Sequence, residues 1–487
     1  MNRTIRYPGD CRGMFAPQNV QMIKDSALNI IERIGMRVTD PAICGELLGN
    51  GFSLTDGRLT VPGEAAGSFL NDMIAREKER DKDENGRGAV PVMRYLDGWI
   101  NNYPHSYYDP DTGAIVPYNT DALIKMTAFC NRVGREYSFT PNVPGCPKDV
   151  PPACEAIARF VIGNKYLDDG TYPEPMCRYS AKYLFAMCEI TGHRMSSLPV
   201  YLATPLTIGD ESFYTVLENK SRLESVYIGS MPSFGANTPL SISGGLALVL
   251  AESLLGAMIV HSLTGLETGI SVPLLPFDFK DINQVFGTPE MLLLSSVCDG
   301  FRGALFGSSG SRAGSVEIHT HTIHPDAQAA GEKAMAMAAA YMKQEAGESL
   351  TFRGMGILGM DEIFSPAQLY IDAELLHYMR RLEEGYELDR IPEDFLDEIR
   401  EGLVWGFVPS ERTAGRYREF MHHSGLFTRA NLSAQMRAGM PCAGERAAAA
   451  AKIELRRKPE MVLDPAAARE LDRLLAEAVN NRGFLLK

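Results

Sequence analysis

The chain has 487 residues, is 45% hydrophobic and carries a net charge of −13, an ordinary globular composition. That length admits one large barrel with additions or two domains, and a core of that size needs neither disulfides nor a metal for stability. The acidic balance argues against nucleic acid, whose affinity depends on Lys and Arg neutralising phosphates.

The first ten residues hold charge but no apolar run, so no secretory signal is expected. Nine cysteines are scattered from Cys11 to Cys442 with no C-x-x-C pair, the usage of a reduced, cytoplasmic protein. Residues 19–35 predict an amphipathic helix, with Val20, Ile23, Ala27, Ile30, Ile31 and Ile34 at helical spacing. A second helix is expected from Pro62 to about Arg80. The charged stretch 76–88 then reads as an exposed loop and a boundary, giving an N-terminal helical extension (1–89) that packs on a larger domain (90–487).

From Val90 onward short strands and longer helices alternate. Strands are expected at 91–95, 138–140, 200–203, 225–229, 268–272, 303–306 and 350–352. Helices are expected at 121–134, 151–163, 179–191, 207–218, 240–263, 289–300, 326–346 and 366–384. Alternation of this kind is the mark of an α/β fold with a parallel sheet. Seven or eight such units fit a (β/α)8 TIM barrel with an N-terminal helical extension and C-terminal helices. The apolar stretch 240–263 contains Glu252 and His261, so it reads as a buried helix and not a membrane span.

Four groups of residues invite chemistry. Gly354-Met-Gly-Ile-Leu-Gly359 matches G-x-G-x-x-G, but Met360-Asp-Glu-Ile-Phe364 intervenes before the helix start at Ser365-Pro366. It reads as a strand-end loop and not a dinucleotide site. His319 and His321 fall on one side of an extended segment, as two ligands of one metal would, with a packing loop as the plainer reading. Glu252 inside an apolar helix must find a partner, as a structural anchor or as part of a site. Tyr103, Tyr107, Tyr108, Phe234, Phe277, Phe306 and Phe352 fall where loops should follow strands, and aromatic faces bind quaternary ammonium. Arg312 and Arg353 lie in comparable positions and could hold a carboxylate. No Ser-His-Asp order, nucleophile elbow or P-loop is present.

Several segments, read in order, resemble the trimethylamine methyltransferase family, including its members without pyrrolysine that act on quaternary amines. They are Ala27-Leu-Asn-Ile-Ile-Glu-Arg-Ile-Gly-Met-Arg-Val-Thr-Asp-Pro41, Tyr108-Asp-Pro-Asp-Thr-Gly113, the proline-rich stretch 141–152, Met231-Pro-Ser-Phe-Gly-Ala-Asn-Thr-Pro239 with Ala251-Glu252, Asp326-Ala-Gln-Ala-Ala-Gly-Glu-Lys333, Ile371-Asp-Ala-Glu374 and 413–429. The resemblance implies a barrel whose open face receives a partner corrinoid protein, with cob(I)alamin as methyl acceptor and no tightly bound cofactor. A quaternary nitrogen leaves as a neutral amine, so catalysis rests on positioning and on excluding water.

The chain departs from the family's pattern in three places. It contains no pyrrolysine; the loop that would hold it falls near Gly310, Ser311 or Arg312, so trimethylamine itself is not the expected substrate. The stretch 315–324 looks longer and richer in histidine than usual. Arg353 stands where a histidine is expected in some glycine-betaine members.

The expectation is a cytoplasmic, homo-oligomeric methyltransferase acting on a small methylated amine. Nucleic acid and membrane are not expected as partners. The substrate set would be Tyr103, Tyr107, Phe234, Asn237, Phe277, Phe306, Arg312, Glu317, Phe352 and Arg353, with Asn237, Gly310 and Ser311 positioning the reacting group. Two alternatives stay open. One is a zinc-assisted barrel enzyme using His319 and His321, either a corrinoid methyltransferase of another substrate or a hydrolase. The other is a barrel that only binds.

Overall fold

The structure, a computed structural model, describes residues 13–85, 95–307, 313–343, 349–386, 388 and 390–481. Six parallel strands organise it: β1 (Leu96–Trp99), β2 (Ser197–Tyr201), β3 (Ser225–Gly229), β4 (Glu267–Ile270), β5 (Ala313–Glu317) and β6 (Ser349–Arg353). β3 lies between β2 and β4, and β6 lies between β5 and β1. Of these six strands, the last therefore pairs with the first. Thr140 adds a parallel bridge beside Trp99, secured by Asp97, whose carboxylate accepts from the Thr140 N–H at 3.0 Å and its hydroxyl at 2.5 Å.

The result is a mixed α/β fold. Among the described residues no ladder joins the two three-stranded parallel sheets, so hydrogen bonding does not close the expected eight-stranded barrel. On one side proline contributes: Pro141, Pro144, Pro173 and Pro175 lie between β1 and β2, and a residue without an N–H cannot extend a ladder.

Burial alternates along the strands. Leu198 and Val200, Val226 and Ile228, and Leu350 and Phe352 are buried, whereas Tyr201, Tyr227 and Arg353 on the alternate positions are not. The buried rows pack against helices. Helix Ile242–Thr264 is apolar on every side, 78% of its most apolar window is buried, and it is capped by Ser241 and ended by Gly265. It is the one described helix long and apolar enough to cross a membrane, and its burial reads it as a core helix. Inside it, Glu252 accepts from the Thr204 hydroxyl at 2.6 Å and the Leu206 N–H at 2.8 Å. Burial still pushes its carboxyl above the ordinary range. Glu252 is thus an anchor for the loop after β2. Helix Pro17–Arg33 buries Ile23, Ala27 and Ile31 in the same core, and Arg37–Val38 pairs in parallel with Thr207–Ile208.

Several expected boundaries move. Residues 303–306 are not a strand but the end of helix Pro289–Phe306, because Leu294, Val297, Phe301 and Leu305 continue one apolar face past Gly300. The helix stops at Gly307, whose φ is +71°. Residues 76–85 are not a loop but continue helix Gly63–Asn85. The helix expected from residue 207 starts at Glu211, where Asp210 accepts from the Phe213 N–H at 3.1 Å. Of the strand expected at 91–95 only Tyr95 lies within the described residues; the first strand is β1. Strand β5 was not expected at all.

The Gly354–Gly359 loop after β6 is held from beneath by a buried ion pair. Lys333 and Asp372 are both fully buried and 2.7 Å apart. The ammonium also donates to the Gly354 carbonyl at 2.8 Å, and the carboxylate accepts from the Gly356 N–H at 2.7 Å and from Gln368 at 2.7 Å. Breaking a buried pair from one side leaves an uncompensated charge, which costs about 3–5 kcal/mol. Lys333→Ala is therefore expected to lower the free energy of unfolding by that amount in a urea titration. Removing the exposed Arg178 beside Glu211 should move the midpoint little. Equal effects would show that the buried pair has no special weight.

Candidate active site

The C-terminal ends of β5, β6 and β1 converge on His319. Glu317 ends β5, Arg353 ends β6, and Asn101 follows β1. The His319 ring is 8% exposed and lies between two carboxylates: Nε2 is 3.2 Å from Glu317 Oε2, and Nδ1 is 3.2 Å from Asp361 Oδ1. Asn101 Nδ2 donates to Glu317 at 3.1 Å and to Asp361 at 3.4 Å. Arg353 Nε pairs with the other Glu317 oxygen at 3.0 Å. The Phe286 ring lies against the imidazole, with centroids 4.8 Å apart.

This arrangement decides protonation. Burial alone pushes the imidazole toward its neutral form, but Asp361 and Glu317 outweigh it and lift the pKa to about 9. Burial likewise pushes Glu317 up, and His319, Arg353 and Asn101 outweigh it and hold the carboxyl below its usual range. Near neutral pH His319 is therefore an imidazolium and Glu317 a carboxylate.

Asp361 is delivered by the glycine loop. Gly354, Gly356 and Gly359 all adopt positive φ, and a Cβ at Gly356 would fall 2.7 Å from the Phe364 ring. Met360 and Asp361 also lie in the left-handed region, with φ of +55° and +69°. Such conformations carry strain that the surrounding structure must enforce. Here the N–H of Gly359 is bound by the Thr322 carbonyl and that of Met360 by the Thr320 carbonyl, both at 3.0 Å.

A second group stands beside the first. Tyr103 follows β1, Tyr201 ends β2 and Tyr227 lies within β3; all three are about half exposed. A Cβ at Gly229 would sit 3.6 Å from both the Tyr201 and Tyr227 rings, so the two rings flank that position and share one wall. Burial pushes the Tyr103 hydroxyl up to about 12, with Glu174 and Tyr201 adding and Arg159 and Arg353 opposing. Tyr201 is raised by burial and by Glu174 and Tyr227. Glu174 is itself oriented by the buried Arg159 at 3.0 Å and by Asn102 at 2.6 Å.

The expected site residues divide. Tyr103, Glu317 and Arg353 come together. Phe306 and Phe352 do not: they are 1% and 0% exposed, in the core. Burying a Phe stabilises by about 1.5–3 kcal/mol, against about 0.5–1 kcal/mol for an exposed cation–π contact, so the core claims them. Tyr107 packs on Tyr118 with centroids 5.0 Å apart. Phe234 packs against the core that contains helix Ile242–Thr264, and Asn237 closes its own loop by accepting from the Ser233 N–H at 2.7 Å. Phe277 pairs with Phe279 on the hairpin after β4. Gly310, Ser311 and Arg312 lie outside the described residues. His321 accepts from the Phe286 N–H at 2.9 Å, whereas His319 faces carboxylates. The two rings thus have different partners in this structure. Sequence reading missed Asn101, Tyr201, Tyr227, Glu174 and Asp361. Only Asp361 carried a signal, as the acidic residue directly after the glycine loop.

Charged and aromatic groups gathered at strand ends of a parallel α/β fold are the kind of arrangement from which enzymes build small-molecule sites. A family model described as trimethylamine methyltransferase (MTTB) matches residues 193–482. That span is more than half of the chain, and the chain belongs to this family of methyltransferases. Among solved structures, the hydroxylamine complex of MtmB is similar over 92% of this chain and 94% of that one, at 11% identity and a TM-score of 0.41. The Methanosarcina barkeri monomethylamine methyltransferase (MtmB) is similar over the same shares, at 11% identity and a TM-score of 0.39. No curated protein matches.

The His319 arrangement predicts a pH dependence. Its folded pKa, about 9, lies above the ordinary 6.5, so the stability it contributes is fully present below pH 6.5 and lost as pH rises through 9. The amount is on the order of 3 kcal/mol. Unfolding free energy should therefore fall more between pH 7 and 10 in the native protein than in a His319→Gln variant. Parallel curves would mean the imidazole is not charged in the folded state.

Proposed function

We propose that this chain transfers a methyl group from a quaternary, carboxylate-bearing amine of the betaine type to the corrinoid of a partner protein. The two parallel sheets are read as arcs of one (β/α)8 ring, because β6, the last of the six named strands, pairs with β1, the first of them. The observation that carries the substrate class is the placement of three tyrosine rings beside Arg353 and Glu174. The rings and Glu174 suit a quaternary ammonium, and the Arg353 guanidinium suits a carboxylate at the other end of the same molecule. Among the described residues Arg353 is engaged only by Glu317, through Nε, and its side chain is 38% exposed.

Exposed apolar side chains on the loops that follow these strands support a partner protein that brings a flat macrocycle. Met231, Leu240, Phe279 and Ile282, on the loops after β3 and β4, are between 53% and 71% exposed, an apolar rim of the sort that marks a contact surface. When bound, the corrinoid supplies a reduced metal centre nucleophilic toward an N-methyl carbon. The chain's own residues then position the substrate. Tyr103, Tyr201 and Tyr227 hold the ammonium, Arg353 holds the carboxylate, and Glu317, His319 and Asp361 hold Arg353 in place. A quaternary nitrogen departs as a neutral amine, so no side chain has to deliver a proton and the rate rests on orientation and exclusion of water.

The test is incubation of the protein with cob(I)alamin and a panel of methylated amines, following methylcobalamin by absorbance. Methyl transfer from betaines, and not from tri- or monomethylamine, is expected. A charge-assisted two-point contact contributes about 1.5–3 kcal/mol, so Arg353→Ala should raise KM for a betaine roughly 10- to 100-fold. Transfer from trimethylamine alone, or from no amine, would overturn the reading.

A further inference from the structure

Away from the mouth, three ligating side chains meet on the back of helix Pro366–Glu384. Glu374 and His377 are three residues apart and so share a face of that helix. His422 comes from the segment after helix Glu411–Phe420. One ligand atom from each lies within 4.8 Å of the other two.

The hydrogen bonding is left incomplete in a specific way. Glu374 is 1% exposed. Its Oε1 accepts from the Gly425 N–H at 3.1 Å and from the Tyr137 hydroxyl at 3.4 Å. Its Oε2 has no hydrogen-bond partner and stands 3.6 Å from His422 Nε2, which is also buried and without one. Two such groups facing each other are costly unless something satisfies both. His377 Nε2 lies 3.3 Å from the Tyr137 carbonyl. If it donates there, Nδ1 keeps its lone pair, the arrangement that orients metal-bound histidines. Tyr137 lies on His377, with centroids 4.9 Å apart, and Tyr378 on His422 at 5.4 Å. Arg380, one turn further on, is drawn away to the carbonyls of Leu96, Tyr137 and Ser138.

We propose that Glu374, His377 and His422 form a structural site for a divalent cation of the zinc type, which clips the C-terminal segment onto the strand-bearing body. Two imidazoles and a carboxylate are the nitrogen and oxygen donors zinc takes, with water as a fourth ligand. At bond lengths of about 2.0–2.2 Å the three atoms must close to roughly 3.3 Å of one another, a rotamer-scale adjustment. The clip acts on a helix that also supports β1, since Arg380 donates to the Leu96 carbonyl at 2.9 Å and 3.0 Å.

The full-length protein, stripped with a chelator and dialysed, is titrated with Zn²⁺ and separately with Co²⁺ as a spectroscopic probe. One equivalent per chain is expected, with a four-coordinate cobalt ligand-field spectrum and no thiolate charge-transfer band. Zinc should also slow proteolysis within residues 411–427. His377→Ala and His422→Ala should each weaken binding at least roughly tenfold. Absence of stoichiometric binding by the native chain would overturn the proposal without reference to any variant. So would a thiolate band, which would point to Cys146 with His105 and Glu155. Unchanged binding in a variant that combines His377→Ala with His422→Ala would do the same.

Discussion

The contact between Lys333 and Asp372 is the constraint on which the mouth depends. Both groups are fully buried, and their hydrogen bonds fall on the backbone of Gly354 and Gly356. A buried pair earns little net stability on its own, because desolvation offsets most of the attraction. What it does is specify geometry. The chain leaving β6 can satisfy the ammonium and the carboxylate only by passing directly above them. That passage sets the direction of Arg353 on one side of the loop and the return of Asp361 on the other.

From that constraint the electrostatics of the site follow. Once Asp361 is turned back toward β5, His319 has a carboxylate on each ring nitrogen and becomes an imidazolium despite its burial. The cation in turn keeps Glu317 ionised, and Glu317 holds the Nε edge of Arg353. The four charges sum to zero over a short distance. The site can therefore expose a guanidinium to a ligand without creating a strong net field that would draw in any anion. The tyrosines depend on a different feature: Tyr201 and Tyr227 take the strand positions that alternate with the buried rows of β2 and β3, and stay about half exposed.

Some of this could be seen in the residues themselves. The loop reading of Gly354–Gly359 followed from the absence of a helix opening on those glycines, and the structure shows that loop with three positive φ values. Glu252 was recognisable as an anchor because a carboxylate inside an apolar helix must find donors. Helix Pro366–Glu384 was predicted to the residue, since Ser365 and Pro366 mark its start chemically. Other parts were not legible. Ala-Gly-Ser-Val-Glu of β5 holds one β-branched residue and no alternation strong enough to mark a strand. Phe306 and Phe352 looked like cage residues because aromatic type does not reveal which face a side chain takes. A shift of one position along a strand exchanges the core face for the open one.

Local chemistry within the sequence determined the α/β alternation, the capped helix starts, the turn-forming glycines and, through ordered segments along the chain, the methyltransferase family. Each of these rests on interactions between residues close in sequence or on recurring patterns of residues. Only the tertiary structure decided that His319 is charged, that Tyr201 and Tyr227 share the wall at Gly229, and that His422 faces Glu374. Those facts depend on distances between residues far apart in the chain. The energy of a charge or a ring contact is set by such distances and by the water they exclude, and neither is written in composition or periodicity.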